Sequence, residues 1–574
     1  MRTNNTMLHF DFNGKPTTFR NPIKIITAFE LEQVIPAFEK VQEAIQQGFY
    51  AAGFVSYEAA PAFDSAMEVH ANNQLPLLWF GIYDSPSTDG LLPNHESYHA
   101  TAWQPDTTIA DYNNAINQIK AYIEQGDTYQ VNYTIRMKSQ FNGEAIGLYH
   151  QLASSQSANY SAYLDIGGHR LLSASPELFF HLKDGKVTTK PMKGTVARGR
   201  TATEDKENAE WLYHSEKNRA ENVMIVDLLR NDLGVIAKPG TVKVPELFSI
   251  EKYPTVYQMT STVTADIDES KSITEVFQAL FPCGSITGAP KISTMRIIKE
   301  LETSPRDVYC GAIGFITPEM EAIFNVPIRT VILDDAGNAT YGVGGGITWD
   351  STDKDEYAEV LTKAKILSNK QQDFKLLETI GLVNGEYLVL DNHLNRIQNS
   401  ASYFNFALDH QALKEELLEI ANQYKAGKWK VRVLLSRIGT TTIEAVPEVF
   451  EEKELHVSLA KHPIQESNIF LYHKTTNRIF YEEVLKQSPH VFDVLLWNEQ
   501  EEITEFTKGN VVVELDGKFV TPPVSCGLLP GTYREALLQD GKVSERVIRV
   551  EELGSCSSIW FINSVKEWVK VKLI

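Results

Sequence analysis

Short apolar runs broken by polar punctuation fill the first two thirds of the chain. Gly53-Phe54-Val55-Ser56-Tyr57, Leu171-Leu172-Ser173-Ala174-Ser175 and Ala322-Ile323-Phe324-Asn325-Val326 are β-rich, and segments with helical spacing lie between them. That alternation predicts a large α+β domain ending near residue 365. The stretch 366–375 is polar and weakly periodic and reads as a linker. Beyond it, Leu376-Leu377-Glu378-Thr379 followed by Val383-Asn384-Gly385-Glu386 predicts a hairpin closed by an Asn-Gly turn, and His393 to Phe404 has helical spacing. The expected division is therefore residues 1–368, then 376–574. Two helices of the first part carry acidic groups. In Glu356 to Ala364, steps of three and four put Glu356, Glu359 and Lys363 on one face and Tyr357, Leu361 and Ala364 on a packing face. Asn218 to Leu229 is apolar in its second half, with Glu221 in its first turns.

Length agrees with more than one core, since 574 residues correspond to two to four domains. Hydrophobic residues make up 43% and charged residues 22%, a globular composition. A net charge of −20 without a concentrated basic patch argues against nucleic-acid or anionic-membrane binding, so an anionic substrate needs local cations or a metal. Cys283, Cys310, Cys526 and Cys556 lie far apart, without metal-ligand spacing, and read as reduced thiols. Met1 leads into a polar segment and no apolar run is long enough to span a bilayer, so the expectation is a cytoplasmic protein.

Two segments invite chemistry. Lys193, in Pro191-Met192-Lys193-Gly194-Thr195, is by default a solvated cation, but becomes a nucleophile if desolvation lowers its pKa. Tyr341-Gly342-Val343-Gly344-Gly345-Gly346-Ile347 has glycines that let backbone approach an anionic ligand. It is not a dinucleotide loop, because Ile347 stands where that fingerprint needs its third glycine.

Ordered motifs then add up. Ser175-Pro176-Glu177, PMKGT at 191–195, RAENVMIVDLLRNDLG at 219–234, PCGSITGAPK at 282–291, YCGAIGF at 309–315, the Arg329 segment and the glycine run with its acidic helix resemble the chorismate-utilising enzymes, most closely the branch that aminates chorismate at C4. The resemblance implies a β-sandwich with outer helices and a Mg2+-dependent cleft. By it, Glu221 and Glu359 are metal carboxylates, and Arg329 and Tyr309 hold the enolpyruvyl carboxylate. Thr195, Gly344, Gly346 and Lys363 contact substrate, and Glu177 is the acid that helps the C4 hydroxyl leave. Gln130 stands where water-adding relatives carry a lysine base; its amide cannot be a base, which disfavours water addition. Gln258 replaces a histidine that many relatives place near the ring. Lys193 fills the position where anthranilate-forming relatives carry alanine, and is implied to add to the ring before ammonia displaces it. No glutaminase elbow is present, so ammonia is expected from a separate amidotransferase subunit or from solution.

Residues 376–574 resemble the fold-type-IV, class IV pyridoxal-phosphate enzymes that include aminodeoxychorismate lyases and branched-chain aminotransferases. Carried over, Lys474 is the cofactor-anchoring lysine and Arg396 the phosphate-binding arginine. Glu505 pairs with the pyridine nitrogen, Gly531 and Thr532 form the phosphate cup, and Thr379 lies near the reacting groups. These are the groups the cofactor needs: one amine, one carboxylate for its ring nitrogen, and amides with a cation for its phosphate. Together the two resemblances imply a bifunctional enzyme that aminates chorismate and then eliminates pyruvate, yielding 4-aminobenzoate for folate synthesis. Two alternatives stay open at this point, an anthranilate-type synthase fused to an aminotransferase, and a synthase with a catalytically silent docking domain.

Overall fold

The computed structural model describes residues 6–71, 73–91, 97–156, 158–368, 373–449 and 454–574. The chain divides into two compact units, Met1–Arg198 with Asn208–Gln371, and Gly199–Glu207 with Gln372–Ile574.

Two ten-stranded sheets build the first unit. In one, the long strand Gln130–Gly143 pairs antiparallel with Asn338–Ile347, which puts Gly344 opposite Thr134 and Gly346 opposite Asn132. In the other, Met192–Ala197 pairs with Val256–Asp266 and leads through Lys186–Lys190 and Leu178–Lys183 to Ala322–Asn325. Large side chains explain how the sheets face each other. Leu8, Phe10 and Phe19 of the first sheet share one buried cluster with Phe54, Trp79 and Ile313 of the second. Helices cover both outer faces: Phe38, Ile225, Leu229 and Phe277 lie against one, and Tyr112, Ile116, Leu152 and Val360 against the other. A sandwich clad by helices buries both faces of each sheet, which accounts for strands as uniformly apolar as Leu78–Tyr83.

Local chemistry starts the two helices that matter for the site. The Ser215 hydroxyl accepts from the Asn218 amide at the head of Glu216–Gly234, and Thr352 accepts from the Asp355 amide at the head of Asp353–Ala364. In the second helix Tyr357 and Ala364 pack against the core, but Leu361 does not: it is 43% exposed, one step off the packed stripe that Val360 occupies. The 366–375 stretch starts inside the core, with Ile366 and Leu367 buried in a short 3-10 turn; 369–372 lie outside the described residues.

The second unit holds an antiparallel four-stranded sheet and a mixed eight-stranded sheet. The hairpin forms as the sequence predicts: Val383 pairs with Glu386 across Asn384 and Gly385, both at positive φ (50° and 85°). The helix Leu390–Phe404 packs Leu394, Ile397 and Ala401 against Leu376, Ile380 and Leu382 of the strand Leu376–Val383.

Candidate active sites

Lys193 is not a surface cation. Its strand, Met192–Ala197, leaves the residue half-buried in the first unit, and burial pulls its pKa below the ordinary lysine value, against the pull of Glu177 and Glu221. The glycine strand leaves room for it. A β-carbon on Gly346 would lie 3.2 Å from Lys193 Nζ and 2.2 Å from Gln130 Nε2, so any larger residue there would displace both. Gln130 is 1% exposed, and neither its Nε2 nor its Oε1 has a partner among the described residues. An amide left with open donor and acceptor capacity inside a core is costly unless a ligand completes it.

Glu177 and the amine act on each other electrostatically. Glu177 is buried, its Oε1 has no partner among the described residues, and burial pushes its pKa up to about 7 despite the Ser285 hydroxyl, Lys193 and Arg329. A carboxylic acid half-protonated near neutrality, in the field of an amine held below its usual pKa, has the protonation states that acid–base chemistry needs.

The acidic groups of the site come from the two capped helices. Glu356, Glu359 and Lys363 do share a face, and a β-carbon on Gly345 would meet their side-chain ends at 3.2, 3.7 and 3.9 Å. Lys363 Nζ is 2.7 Å from Glu359 Oε1 and donates to the Gly344 carbonyl at 2.8 Å. Glu221 has its pKa raised by burial, with Glu359 and Asp350 adding to the rise. Burial works against ionisation of Glu359 as well, but Lys363 outweighs it and holds this carboxyl low. Among the described residues no three His, Cys, Asp or Glu side chains form a metal cage. Two glutamates close enough to repel each other nevertheless fit a hard divalent ion completed by substrate and water oxygens.

Gln258 accepts from the Thr195 hydroxyl at 3.2 Å, and the two residues pair across the strands, with Thr195 open to solvent. Arg329 sits at φ 54° facing Tyr341, Tyr253 and Glu177. Tyr309 packs its ring under Gly342, with the Arg136 guanidinium 5.4 Å over it.

In the second unit Lys474 is the centre. Burial, reinforced by Arg396 and Arg478, lowers its pKa to about 7. Glu505 is buried and its pKa rises to about 8 although Tyr481 donates to its Oε1 at 2.9 Å. An acid largely protonated at neutrality despite Arg478 and Lys474, in the field of an amine that is about half neutral there, fits the two ends of a pyridoxal ring. Arg396 Nη1 donates to the Pro530 carbonyl at 3.1 Å, beside Gly531 and Thr532 at the start of the helix Thr532–Gln539. A β-carbon on Gly531 would collide with Asn510 Oδ1 at 1.7 Å, so only glycine fits at this helix start, a kind of position that suits a phosphate. Thr379 lies on the strand Leu376–Val383, its carbonyl accepting from Ser564 Oγ at 3.0 Å.

Sequence reasoning missed the residue that orients Arg396. Glu378 takes its Nε at 2.8 Å and Nη2 at 2.6 Å, and also contacts His393 Nδ1 at 2.7 Å, while His393 Nε2 lies 3.0 Å from Thr532 Oγ1. The signal was present: Glu378 occupies the same strand face as Leu376, Ile380 and Leu382, where only a paired carboxylate is tolerated. Tyr481 and Arg478, whose guanidinium stacks 4.6 Å from the Tyr481 ring centre, were missed as well.

Residues 4–369 match the family described as chorismate binding enzyme, and residues 375–574 match amino-transferase class IV. Aminodeoxychorismate synthase component 1 of Salmonella typhimurium is 41% identical over 263 residues, 46% of this chain and 58% of that protein. The protein of the same name from Escherichia coli is 36% identical over 339 residues, covering 54% of this chain and 75% of its own length. The match to the first of these thus spans little more than half of the relative. Among solved structures, anthranilate synthase component I from Streptococcus pneumoniae superposes with a TM-score of 0.52 at 25% identity, over 63% of this chain and 90% of its own.

Proposed function

The chain belongs to the chorismate-binding enzyme family, and on that premise we propose that it makes 4-aminobenzoate in two steps. Residues 1–368 would aminate chorismate at C4 to 4-amino-4-deoxychorismate, and residues 376–574 would eliminate pyruvate from that intermediate. The observation that carries the first step is the placement of Lys193 Nζ beside Gly346 and Gln130, within the charge field of Glu177 and Glu221.

In this reading Lys193 is the nucleophile and Glu177 the acid. The neutral amine forms a bond to the ring as the C4 hydroxyl departs, taking the Glu177 proton and leaving as water. Ammonia from an amidotransferase subunit or from solution then bonds to C4 and expels the lysine amine. Gln130, lacking a basic atom, can hold a small nucleophile by hydrogen bonds without deprotonating water. Arg329 and Tyr309 are assigned to the enolpyruvyl carboxylate, with Thr195, Gln258, Gly344, Gly346 and Lys363 lining the substrate. Glu221 and Glu359 would hold Mg2+, which when bound supplies positive charge against the ring carboxylate.

In the second step, bound pyridoxal phosphate would supply an electron sink for the intermediate's ring amine. Lys474, about half neutral at pH 7, would remove the C4 proton. Glu505 keeps a proton at the cofactor's ring nitrogen, Arg396, Gly531 and Thr532 hold the phosphate, and Thr379 borders the reacting groups. Fusion in one chain keeps the intermediate at high local concentration.

Two variants of the full chain separate the steps. Lys193→Ala should lower aminodeoxychorismate formation by about 10²-fold or more, while added aminodeoxychorismate is still converted to 4-aminobenzoate. Lys474→Ala should do the opposite and accumulate the intermediate. Full-rate amination by Lys193→Ala would overturn the first assignment.

A further inference from the structure

Lys193 sits on a β-bulge. Met192 pairs with Thr260 and Thr195 with Gln258, so three steps on its strand answer two on the partner, and Gly194 takes φ 93°. An extra residue at Lys193–Gly194 turns side chains out of the regular alternation, which makes the direction of the amine depend on what fixes the bulge.

The bulge is fixed by one face of the helix Glu216–Gly234. Asn218 and Asn222 are one turn apart on it. Asn218 Cβ lies 3.0 Å from where a β-carbon of Gly194 would be, so it closes the bulge from one side. Asn222, 1% exposed, donates from Nδ2 to the Lys193 carbonyl at 3.4 Å and accepts on Oδ1 from Ser261 Oγ at 2.5 Å. Ser261 in turn accepts on Oγ from the Phe248 amide at 3.1 Å, and its own amide donates to the Pro191 carbonyl at 3.2 Å. A hydrogen-bonded chain thus runs from Phe248 through Ser261 and Asn222 to the backbone of Lys193. Glu221, next to Asn222 on the same turn, lies within the charge field of Lys193 and Glu359.

We propose that Asn222 is the positioning residue for Lys193, a buried amide clamp that ties the nucleophile's bulge to the helix carrying the Glu221 carboxylate. The role calls for a neutral side chain with both a donor and an acceptor. An aliphatic residue would release the bulge carbonyl, and a cationic one would set a second positive charge beside the amine. Burying an amide costs free energy that an apolar residue of similar volume would not, so packing alone does not account for asparagine here. The inference rests on the reading of Lys193 as the nucleophile, but the labelling readout of its test does not depend on that reading.

The test uses full-length Asn222→Ala and Ser261→Ala, each checked for unchanged thermal unfolding, with two readouts. One is kcat and KM for chorismate in amination with ammonium. The other is the rate at which an amine-acylating reagent labels Lys193 relative to Lys363 in the same molecule at pH 8, read by peptide mass spectrometry. Misplacing a reacting group by about 1 Å costs up to about 10²-fold. Asn222→Ala should therefore lose about tenfold or more in kcat with KM within about twofold, and Ser261→Ala a smaller factor in the same direction. The relative labelling of Lys193 should change by at least about threefold in the same order. Both readouts within about twofold of the parent in folded variants would overturn the proposal. If Asn222→Ala does not fold, Ser261→Ala decides by the same criteria. Changed labelling together with a fully active Lys193→Ala enzyme would uphold the clamp and refute the nucleophile.

Discussion

In the proposed amination Lys193 and Glu177 make opposite demands on pH: the amine would have to be neutral and the acid protonated. Activity with chorismate should therefore be bell-shaped, with one limb near 7, where burial places Glu177. Glu177→Gln should flatten that limb and lower kcat by about 10²-fold or more; an unchanged limb would assign it to another group. The same shift acts on stability. A carboxyl whose folded pKa lies above its unfolded value of 4.5 contributes stability at low pH that is lost as pH rises through about 7. Glu177→Gln should remove that slope from urea-unfolding free energies measured between pH 5 and 8. The residue types of this site were legible in the sequence, but their state was not. Nothing local marks Lys193 as buried, because the bulge that sets it depends on pairing with a strand more than sixty residues further on.

At the scale of elements, the Glu378 contacts join a strand to a helix in the second unit. Glu378 is held far below the usual carboxylate range: burial opposes its ionisation, but Arg396 and His393 overcome that. A depressed carboxyl contributes stability above its unfolded pKa of 4.5 that is lost as the solution is acidified. Glu378→Gln leaves a buried guanidinium without its counter-charge, and should cost about 3–5 kcal/mol in urea unfolding of the second unit at pH 7. A loss under about 1 kcal/mol would mean that solvent screens the pair. Elements specified by near neighbours were readable in advance. The Asn384-Gly385 turn needs two positive φ values, and the helix Asp353–Ala364 carries its own cap at Thr352. Leu361 was misplaced because helical spacing alone does not tell a packed stripe from its edge. Glu378 was passed over because its partners, Arg396 and His393, lie 18 and 15 residues away, on the next helix.

For the whole molecule, periodicity predicted the class of fold and not its arrangement. Gln130–Gly143 lies beside Asn338–Ile347, and that pairing of segments some two hundred residues apart brings Gln130 to Gly346. No local pattern encodes it; ordered motifs along the chain pointed to it only through resemblance. The central claim is that one chain carries chorismate through amination at C4 to an aromatic amine. Purified protein given chorismate, Mg2+ and ammonium, with and without pyridoxal phosphate, tests it by chromatographic identification of the product. The account predicts 4-amino-4-deoxychorismate without the cofactor and 4-aminobenzoate with it; anthranilate as the product would contradict it.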